Sequence, residues 1–268
     1  MINGSRYWSD LRTSDFERCG IENFLVVLPL GATEQHGPHL PLSVDSLIVQ
    51  EILDRALKKL SKETPVLILP TQKIGLSTEH QSFLGTLTHS PELILKTWME
   101  IADALAKTGV QKLLIFNAHG GHQGLMEVAA REIRAKHQMI VYSSSWYQLP
   151  LEPSVMALFD ATEHRFGIHG GAIETSMVMA MHPELVDERA FQNFTSSSQS
   201  RAEKYPILGN GKSAKLGWMM QDYNAHGVVG DLSQASAAKG QALLESAAQA
   251  LSQLMTEILS LPLNTIKR

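Results

Sequence analysis

The residues best suited to chemistry in this chain lie in two glycine-rich segments. The first segment carries Glu34, His36 and Asp45, and the second, which begins at Asn117, carries His119. Carboxylate oxygens and imidazole nitrogens, with no thiolate among them, are typical ligands of zinc, manganese or iron rather than of copper or iron–sulfur clusters. The two segments therefore predict a site for divalent metal ions.

Each of these residues also has a simpler interpretation when it is read alone. Asp45 opens a helical pattern, where a carboxylate commonly caps free backbone N–H groups. Glu34 and His36 fit a solvated loop pair, and His119 fits a hydrogen-bonded structural histidine. The metal site is favoured because both segments directly follow apolar runs, where an α/β sheet binds its ligands.

A glycine-rich turn at Gly120 and Gly121 allows a second kind of site. Such a turn between a strand and a helix can bind phosphate through backbone N–H groups. Neither Gly-x-Gly-x-x-Gly nor Gly-Lys-Ser/Thr occurs there, so the common nucleotide-binding motifs are absent from the turn. A phosphate-binding α/β enzyme is kept as the weaker alternative.

A third glycine-rich segment places His169 and Glu174 on either side of a Gly-Gly pair. Read alone, Glu174 fits a first-turn carboxylate that is stabilised by the helix dipole. Imidazole titrates near neutral pH and suits proton transfer, so His169 is the candidate proton donor.

The elements that must position these residues are visible as hydrophobic patterns. Continuous apolar runs predict four buried parallel strands, at residues 24–30, 66–70, 112–117 and 139–143. Amphipathic patterns predict helices at residues 45–60, 92–107, 125–136, 172–181 and 235–259. Because strands alternate with helices, residues 1–268 are predicted to form a single α/β domain, a three-layer helix–sheet–helix structure with a mostly parallel central sheet.

One stretch does not fit this alternation. Residues 193–217 are rich in Ser, Gly, Lys and Asn. We interpret them as an irregular insertion that serves as a lid or an oligomer contact.

Composition narrows the classes of function. The formal net charge of −4 argues against a nucleic-acid partner and against a polybasic membrane-binding surface. The one cysteine, Cys19, cannot form an internal disulfide and has no cysteine or histidine neighbours that would activate it. The polar N-terminal residues do not resemble a signal peptide, and no apolar stretch reaches the roughly 20 residues of a membrane span, so a cytoplasmic protein is expected.

Five motifs in order resemble the creatininase family of amidohydrolases. They are LPLGATEQHGPHLPLSVDS, GLSTEHQSFLGTLT (Gly75–Thr88), NAHGGHQG, HGGAIETSMVMAMHPELV and HGVVGDLSQASAAKG (His226–Gly240). Together they span most of the chain, and this agreement in order makes the resemblance specific. It implies a compact helix–sheet–helix domain with two adjacent divalent metal ions. The carboxylate and imidazole ligands suit zinc, manganese or iron and do not distinguish among them.

The resemblance also implies the ligands. One ion is expected at Glu34, Asp45 and His119, and the other at His36, Asp45 and a further carboxylate, with Asp45 bridging the two. Creatinine-cleaving members carry a glutamate two positions after the histidine that corresponds to His119. This chain has glycine at that position, Gly121.

Two residues are candidates for the remaining ligand. Glu174 lies in a family motif and is the preferred candidate, and His122 is the second choice. Arg165 and Phe166 stand where creatinine-cleaving members have tryptophan and aspartate, so creatinine is not the expected substrate.

The resemblance implies hydrolysis of a C–N amide bond in a small molecule by a metal-activated water, with a cyclic amide or a formamide as substrate. Such a centre lowers the pKa of water to around 7 and polarises the carbonyl group. His169 is expected to protonate the leaving nitrogen, while His80, Trp146 and the backbone N–H of Gly120 bind the substrate.

Two alternatives remain open at this point. One is a peptide-cleaving member of the family, and the other is a non-catalytic small-molecule-binding protein with the same fold. The family resemblance also implies a homo-oligomer, with a hexamer as the form seen in such proteins.

Overall fold

The computed structural model describes Ile2 and residues 4–267. Its central sheet has four parallel strands, which are β1 (Leu25–Leu30), β2 (Val66–Ile68), β3 (Lys112–Asn117) and β4 (Ile140–Ser145). Their order across the sheet is β2-β1-β3-β4. The central strands β1 and β3 pair in register until Leu30 lies opposite Asn117, so both strands end at the same level. The loops that follow them therefore begin side by side.

Helices cover both faces of this sheet. The five long helices are α1 (Val44–Lys59), α2 (Pro91–Lys107), α3 (Gln123–His137), α4 (Ala172–Met181) and α5 (Ala237–Ser260). Leu25 and Val27 of β1 pack in one buried cluster with α1, α4 and α5, whereas Val26 and Leu28 pack in another with α2 and α3. This alternation of buried side chains explains the continuous apolar runs and confirms the predicted three-layer α/β fold with a parallel central sheet.

Shorter elements lie outside the three layers. A small antiparallel sheet joins β5 (Asn193–Phe194) to β6 (Gly230–Asp231). Four short helices occupy Thr13–Phe16, Pro153–Met156, Ala161–Phe166 and Ser197–Lys204. Among the described residues, no helix combines the length and the apolar character needed to cross a membrane.

The prediction that residues 193–217 are irregular is wrong in part. They contain β5 and the helix Ser197–Lys204, which begins after Ser196. The Ser196 hydroxyl accepts a hydrogen bond from the Ser198 N–H at 3.2 Å and so caps the helix. Serine and charged residues make up most of this helix, so it lacks the apolar face that reveals a helix in a sequence.

Candidate metal centre

The predicted ligands are brought together by the ends of two adjacent strands. Glu34 and His36 follow β1, Asp45 lies in the first turn of α1, and His119 follows β3 by two residues. Gly31 lets α1 begin this close to the sheet, because a Cβ atom at that position would lie 2.8 Å from the Ser46 Cα. All four ligand candidates are buried.

The first group consists of Glu34, Asp45 and His119. The His119 Nδ1 lies 3.2 Å from the Glu34 Oε1 and 3.6 Å from the Asp45 Oδ2. One atom from each side chain lies within 4.8 Å of the others, which is close enough for a shared cation.

The second group consists of His36, Asp45 and Glu174. The His36 Nε2 lies 3.7 Å from the Asp45 Oδ1, and all three side chains offer ligand atoms within 4.8 Å of one another. The two carboxylate oxygens of Asp45 therefore face two different histidines. Glu174 comes from the first turn of α4, and its Oε2 accepts a hydrogen bond from the Gly170 N–H at 2.6 Å.

A third arrangement, Glu34, His36 and His169, also meets the distance criterion for a cation. It shares two residues with the other groups, so it competes with them rather than adding a further site. Removing His169 separates these arrangements, as set out in the Discussion.

The hydrogen-bond pattern of the two ligand histidines fits a cation. The His36 Nδ1–H donates to the Glu34 carbonyl at 3.0 Å, and the His119 Nε2–H donates to the Leu76 carbonyl at 2.7 Å. In the neutral rings these bonds keep the proton on the His36 Nδ1 and the His119 Nε2. Once the additional proton is released, the His36 Nε2 and the His119 Nδ1 therefore offer lone pairs on the side of the carboxylates. The His36 Nε2, the Glu34 Oε2 and the Asp45 Oδ2 are buried without a hydrogen-bond partner, which is the condition that a bound cation relieves.

Burial and charge oppose each other at these residues. Burial lowers the pKa of His36, but Asp45 outweighs it and raises this pKa to about 9. Burial likewise lowers the pKa of His119, whereas Glu34 raises it to about 10. Burial raises the pKa of the Glu34 carboxyl, but His119, His80 and His169 hold it well below its usual range. A centre that holds protons this firmly also attracts divalent cations, which compete with the protons for the same lone pairs.

His169 and His80 lie beside the ligands as stacked rings. The His169 ring centre is 4.2 Å from that of His36 and 4.1 Å from that of His80. The His169 Nε2–H donates to the Gln35 carbonyl at 2.7 Å, which leaves Nδ1 bare, 3.8 Å from the Glu34 Oε1. Burial, together with His36 and His80, holds the pKa of His169 well below its ordinary value, so its imidazole is neutral near pH 7.

Gln35 fixes the orientation of His80. Its side-chain NH₂ donates to the Gly227 carbonyl at 2.8 Å and to the His80 Nδ1 at 2.8 Å. The remaining proton of His80 is therefore on Nε2, which lies 3.4 Å from the Glu34 Oε1. The sequence interpretation made His80 a substrate-binding residue and did not identify Gln35. In the structure His80 contacts the Glu34 carboxylate, and its substrate-binding role stays a prediction.

The two candidates for the remaining ligand differ in whether an atom is free to bind a metal ion. Both ring nitrogens of His122 are occupied, since Nε2 accepts from the Leu76 N–H at 3.1 Å and Nδ1 donates to the Asn117 Oδ1 at 3.0 Å. His122 therefore keeps no lone pair for a metal ion. Glu174, in contrast, belongs to the second group.

The remaining predicted substrate-binding residues are Trp146 and Gly120, and neither belongs to the ligand groups. Trp146 is only 4% exposed and packs within the hydrophobic core, edge-to-face on Tyr147. Gly120 is exposed at the start of the turn after β3, and a Cβ atom there would meet nothing within 4 Å. Their substrate-binding roles also stay predictions.

An aromatic residue that the sequence did not single out lies beside His80. The Trp218 ring contacts the His80 ring edge-to-face at 6.4 Å and packs on Tyr223 at 5.1 Å. Trp218 is half-buried and follows the stretch that we interpreted as a lid. That interpretation was the only signal in the sequence that could have pointed to it.

The fold and this cluster define an α/β protein with a buried carboxylate–histidine centre. The chain belongs to the creatininase family, because the family model described as creatinine amidohydrolase matches residues 9–255. It is therefore a creatininase-family hydrolase.

Relatives with different activities share this family. The chain is 30% identical over 221 residues to the mycofactocin precursor peptide peptidase of Mycobacterium ulcerans (strain Agy99), covering 81% of this chain and 78% of the relative. It is 24% identical over 270 residues to the creatinine amidohydrolase of Pseudomonas putida, and this match covers 96% of this chain and 98% of the relative. A crystal structure of creatinine amidohydrolase (creatininase) superposes with a TM-score of 0.78 at 23% identity, covering 96% of this chain and 99% of the other. Solved creatininases include a manganese form and a Zn–Zn form.

Proposed function

We propose that this hydrolase is a divalent-metal-dependent amidohydrolase that cleaves a C–N amide bond of a small molecule, such as a cyclic amide or a formamide. The position of Asp45 between two sets of ligands carries this proposal. A single carboxylate with one oxygen toward His36 and the other toward His119 suits a ligand shared by two metal ions.

The donor set decides which residues hold the ions. Glu34, Asp45 and His119 would hold one ion, and His36, Asp45 and Glu174 would hold the other. Two divalent ions bound there lower the pKa of a water molecule to around 7 and polarise the carbonyl oxygen of the substrate. Oxygen and nitrogen ligands suit zinc, manganese or iron, and the manganese and Zn–Zn forms of solved creatininases support the first two.

His169 transfers the proton in this proposal. Its Nε2–H is engaged with the Gln35 carbonyl, so the free Nδ1 is the atom that faces the ligand cluster. A neutral imidazole in this tautomer first accepts a proton at Nδ1 from the attacking water and then donates it to the leaving nitrogen. The predicted donor role therefore needs an earlier step in which His169 acts as the base.

The substrate lies between the ligand cluster and the residues at its opening. Trp218 provides an aromatic face beside His80. In this proposal the backbone N–H of Gly120 binds the developing negative charge on the carbonyl oxygen. Gly120 is the exposed start of the turn after β3.

A peptide substrate is the second candidate. It is favoured by the 30% identity to the mycofactocin precursor peptide peptidase and by glycine at position 121, where the resemblance to creatinine-cleaving members breaks down. A peptide also presents a C–N amide bond, so the same residues serve both substrate classes.

The test is a metal analysis joined to a substrate panel. The purified chain, loaded in turn with Zn²⁺, Mn²⁺ or Fe²⁺, is assayed with creatinine, a formamidopyrimidine and short peptide amides, before and after removal of metal by a chelator. We expect two ions per chain and metal-dependent hydrolysis of one amide class. Two bound ions without hydrolysis of any amide support the non-catalytic binding protein instead, and absence of bound metal rejects the proposal.

A further inference from the structure

One segment outside the ligand loops packs unusually closely against the turn that carries His119. The Leu76 N–H donates to the His122 Nε2 at 3.1 Å, and the Leu76 carbonyl accepts from the His119 Nε2–H at 2.7 Å. A Cβ atom on Gly75 would lie 2.3 Å from the His122 Nε2, so only glycine permits this approach. Gly75 and Leu76 are therefore held on the Nε2 side of the His119 ring, opposite the Nδ1 that faces Glu34.

The same close packing accounts for glycine at position 121. A Cβ atom on Gly121 would lie 2.4 Å from the Glu79 Oε1, 2.5 Å from the His119 Nε2 and 2.5 Å from the Leu76 carbonyl oxygen. Real Cβ atoms essentially never approach other atoms so closely, so any side chain at position 121 displaces this segment. The Glu79 carboxylate occupies the space beside Gly121.

Glu79 is largely buried and has few partners. Its side chain is 13% exposed, and its Oε1 lies 3.8 Å from the His119 Nε2. None of the other described residues donates a hydrogen bond to its carboxylate. Burial of a carboxylate with so few partners is costly, so the neighbouring His119 ring is the group that stabilises its charge.

The two ring nitrogens of His119 thus face opposite environments. Nδ1 faces Glu34 and Asp45, whereas Nε2 faces the Leu76 carbonyl and the Glu79 carboxylate. A negative group behind a metal-binding imidazole stabilises its Nε2–H tautomer and makes the other nitrogen a stronger ligand.

We infer that Glu79 is a positioning residue of the ion held by Glu34, Asp45 and His119, and that it acts from the 75–88 segment through the Nε2 side of the His119 ring. This inference rests on the proposed function, because it takes His119 to be a metal ligand. It assigns to Glu79 an effect on one of the two ions only, since the ligands His36 and Glu174 belong to the other ion.

The test compares metal affinities in three variants of the full chain. Glu79→Gln keeps the size of the side chain and removes its charge, while Glu79→Asp keeps the charge. Glu132→Gln makes the same change at an exposed glutamate on α3 and serves as the matched control. Dissociation constants for both Zn²⁺ ions are measured by competition with a chromophoric chelator, with circular dichroism to check the fold.

We expect Glu79→Gln to raise the dissociation constant of one of the two Zn²⁺ ions by about 10- to 100-fold and to leave that of the other unchanged. Losses of this size are usual when a carboxylate behind a ligand histidine is removed. Glu79→Asp should recover part of this loss, and Glu132→Gln should bind both ions as the wild type does. If Glu79→Gln binds each of the two ions as tightly as the wild type does, the inference is overturned and the proposed function is left intact.

Two further outcomes also count against the inference. If Glu79→Gln weakens the binding of both ions equally and Glu79→Asp restores neither affinity, Glu79 has a general structural role. A wild-type chain that binds no Zn²⁺ at all overturns the proposed function together with this inference. The outcomes are therefore distinguishable from one set of titrations.

Discussion

The two sides of the site differ in how they are built. The ligand side comes from the ends of β1 and β3 and the start of α1, and its candidates Glu34, Asp45 and His119 are buried against a rigid sheet. The outer side comes from loops, where Trp218 is half-buried and Leu84 is 99% exposed. Under the proposed function, this contrast predicts that the sheet fixes the binding of the ions, whereas loops that are free to vary set the choice of substrate.

Replacement of the shared carboxylate gives the largest expected effect on the ligand side. Asp45→Asn keeps the shape of the side chain but removes the charge that both groups share, so we expect both ions to be lost together. Because the ions provide several kcal/mol of transition-state stabilisation, kcat should fall by more than about 10³-fold. Metal content by mass spectrometry and turnover are measured on the same sample.

The control for Asp45→Asn is Glu51→Gln, which removes a partly exposed carboxylate from the same helix. Glu51 pairs with Arg55 near the surface, so its loss should change neither metal content nor turnover. Retention of two ions by Asp45→Asn would contradict the shared role of Asp45.

Removal of His169 tests whether proton transfer can be separated from metal binding. We expect His169→Ala to keep two ions and to lose about 10²- to 10⁴-fold in kcat, the usual contribution of a general acid–base group. Loss of one ion in this variant would instead favour the arrangement of Glu34, His36 and His169, in which His169 is a ligand. Metal content and kcat, again from one preparation, distinguish the two roles.

Acid should weaken metal binding on the ligand side. In the metal-free chain the pKa values of His36 and His119 are about 9 and about 10, so both rings are protonated at pH 7 and must release a proton to bind metal. For each proton that must be released, the dissociation constant of the metal ion rises about tenfold per pH unit of acidification below these pKa values. Calorimetric titrations in buffers of different ionisation enthalpy count the released protons, and binding without proton release would contradict this electrostatic account.

The same pKa values predict how the metal-free chain responds to alkali. Because the folded-state pKa of each ring is raised above 6.5, the stability that the protonated rings contribute is fully present below about pH 6.5. It is lost as the pH rises through 9 to 10. The unfolding free energy of the chelator-treated chain should therefore fall over this range, and a value that does not change with pH would count against the raised pKa values.

A change on the outer side should have the smallest effect, and it should alter substrate binding without altering metal content. Trp218→Ala removes an aromatic contact worth about 1 kcal/mol, so we expect KM to rise about two- to tenfold with two ions retained. Trp218→Phe keeps an aromatic ring and should stay near the wild-type KM. A loss of metal in Trp218→Ala would show that the two sides are not independent.

The sequence was informative wherever local pattern and sheet geometry agree. Apolar runs such as Phe24–Leu30 reveal strands buried on both faces, and residues just after such strands must meet at one edge of the sheet. For this reason Glu34 and His119 could be paired although 84 residues lie between them. Glu174 could be nominated only through the family resemblance, because its spacing alone fits a helix-dipole carboxylate.

The rest could not be predicted because it depends on contacts between loops. Glu79 lies beside His119 through the close packing of Gly75 and Gly121, which no local pattern encodes. Trp146 follows β4 and resembles a site residue in sequence, but its indole is buried in the core. Trp218 lies after a polar stretch with no periodic pattern to place it. The homo-oligomer, the single domain and the cytoplasmic location stay predictions.

The most direct test of the shared role of Asp45 is a crystal structure of the Mn²⁺-loaded chain with an anomalous difference map. The account predicts two peaks about 3.5–4 Å apart, one on each side of the Asp45 carboxylate, with His119 and Glu34 on one peak and His36 and Glu174 on the other. A single peak held by Glu34, His36 and His169, or no peak beside Asp45, would contradict it.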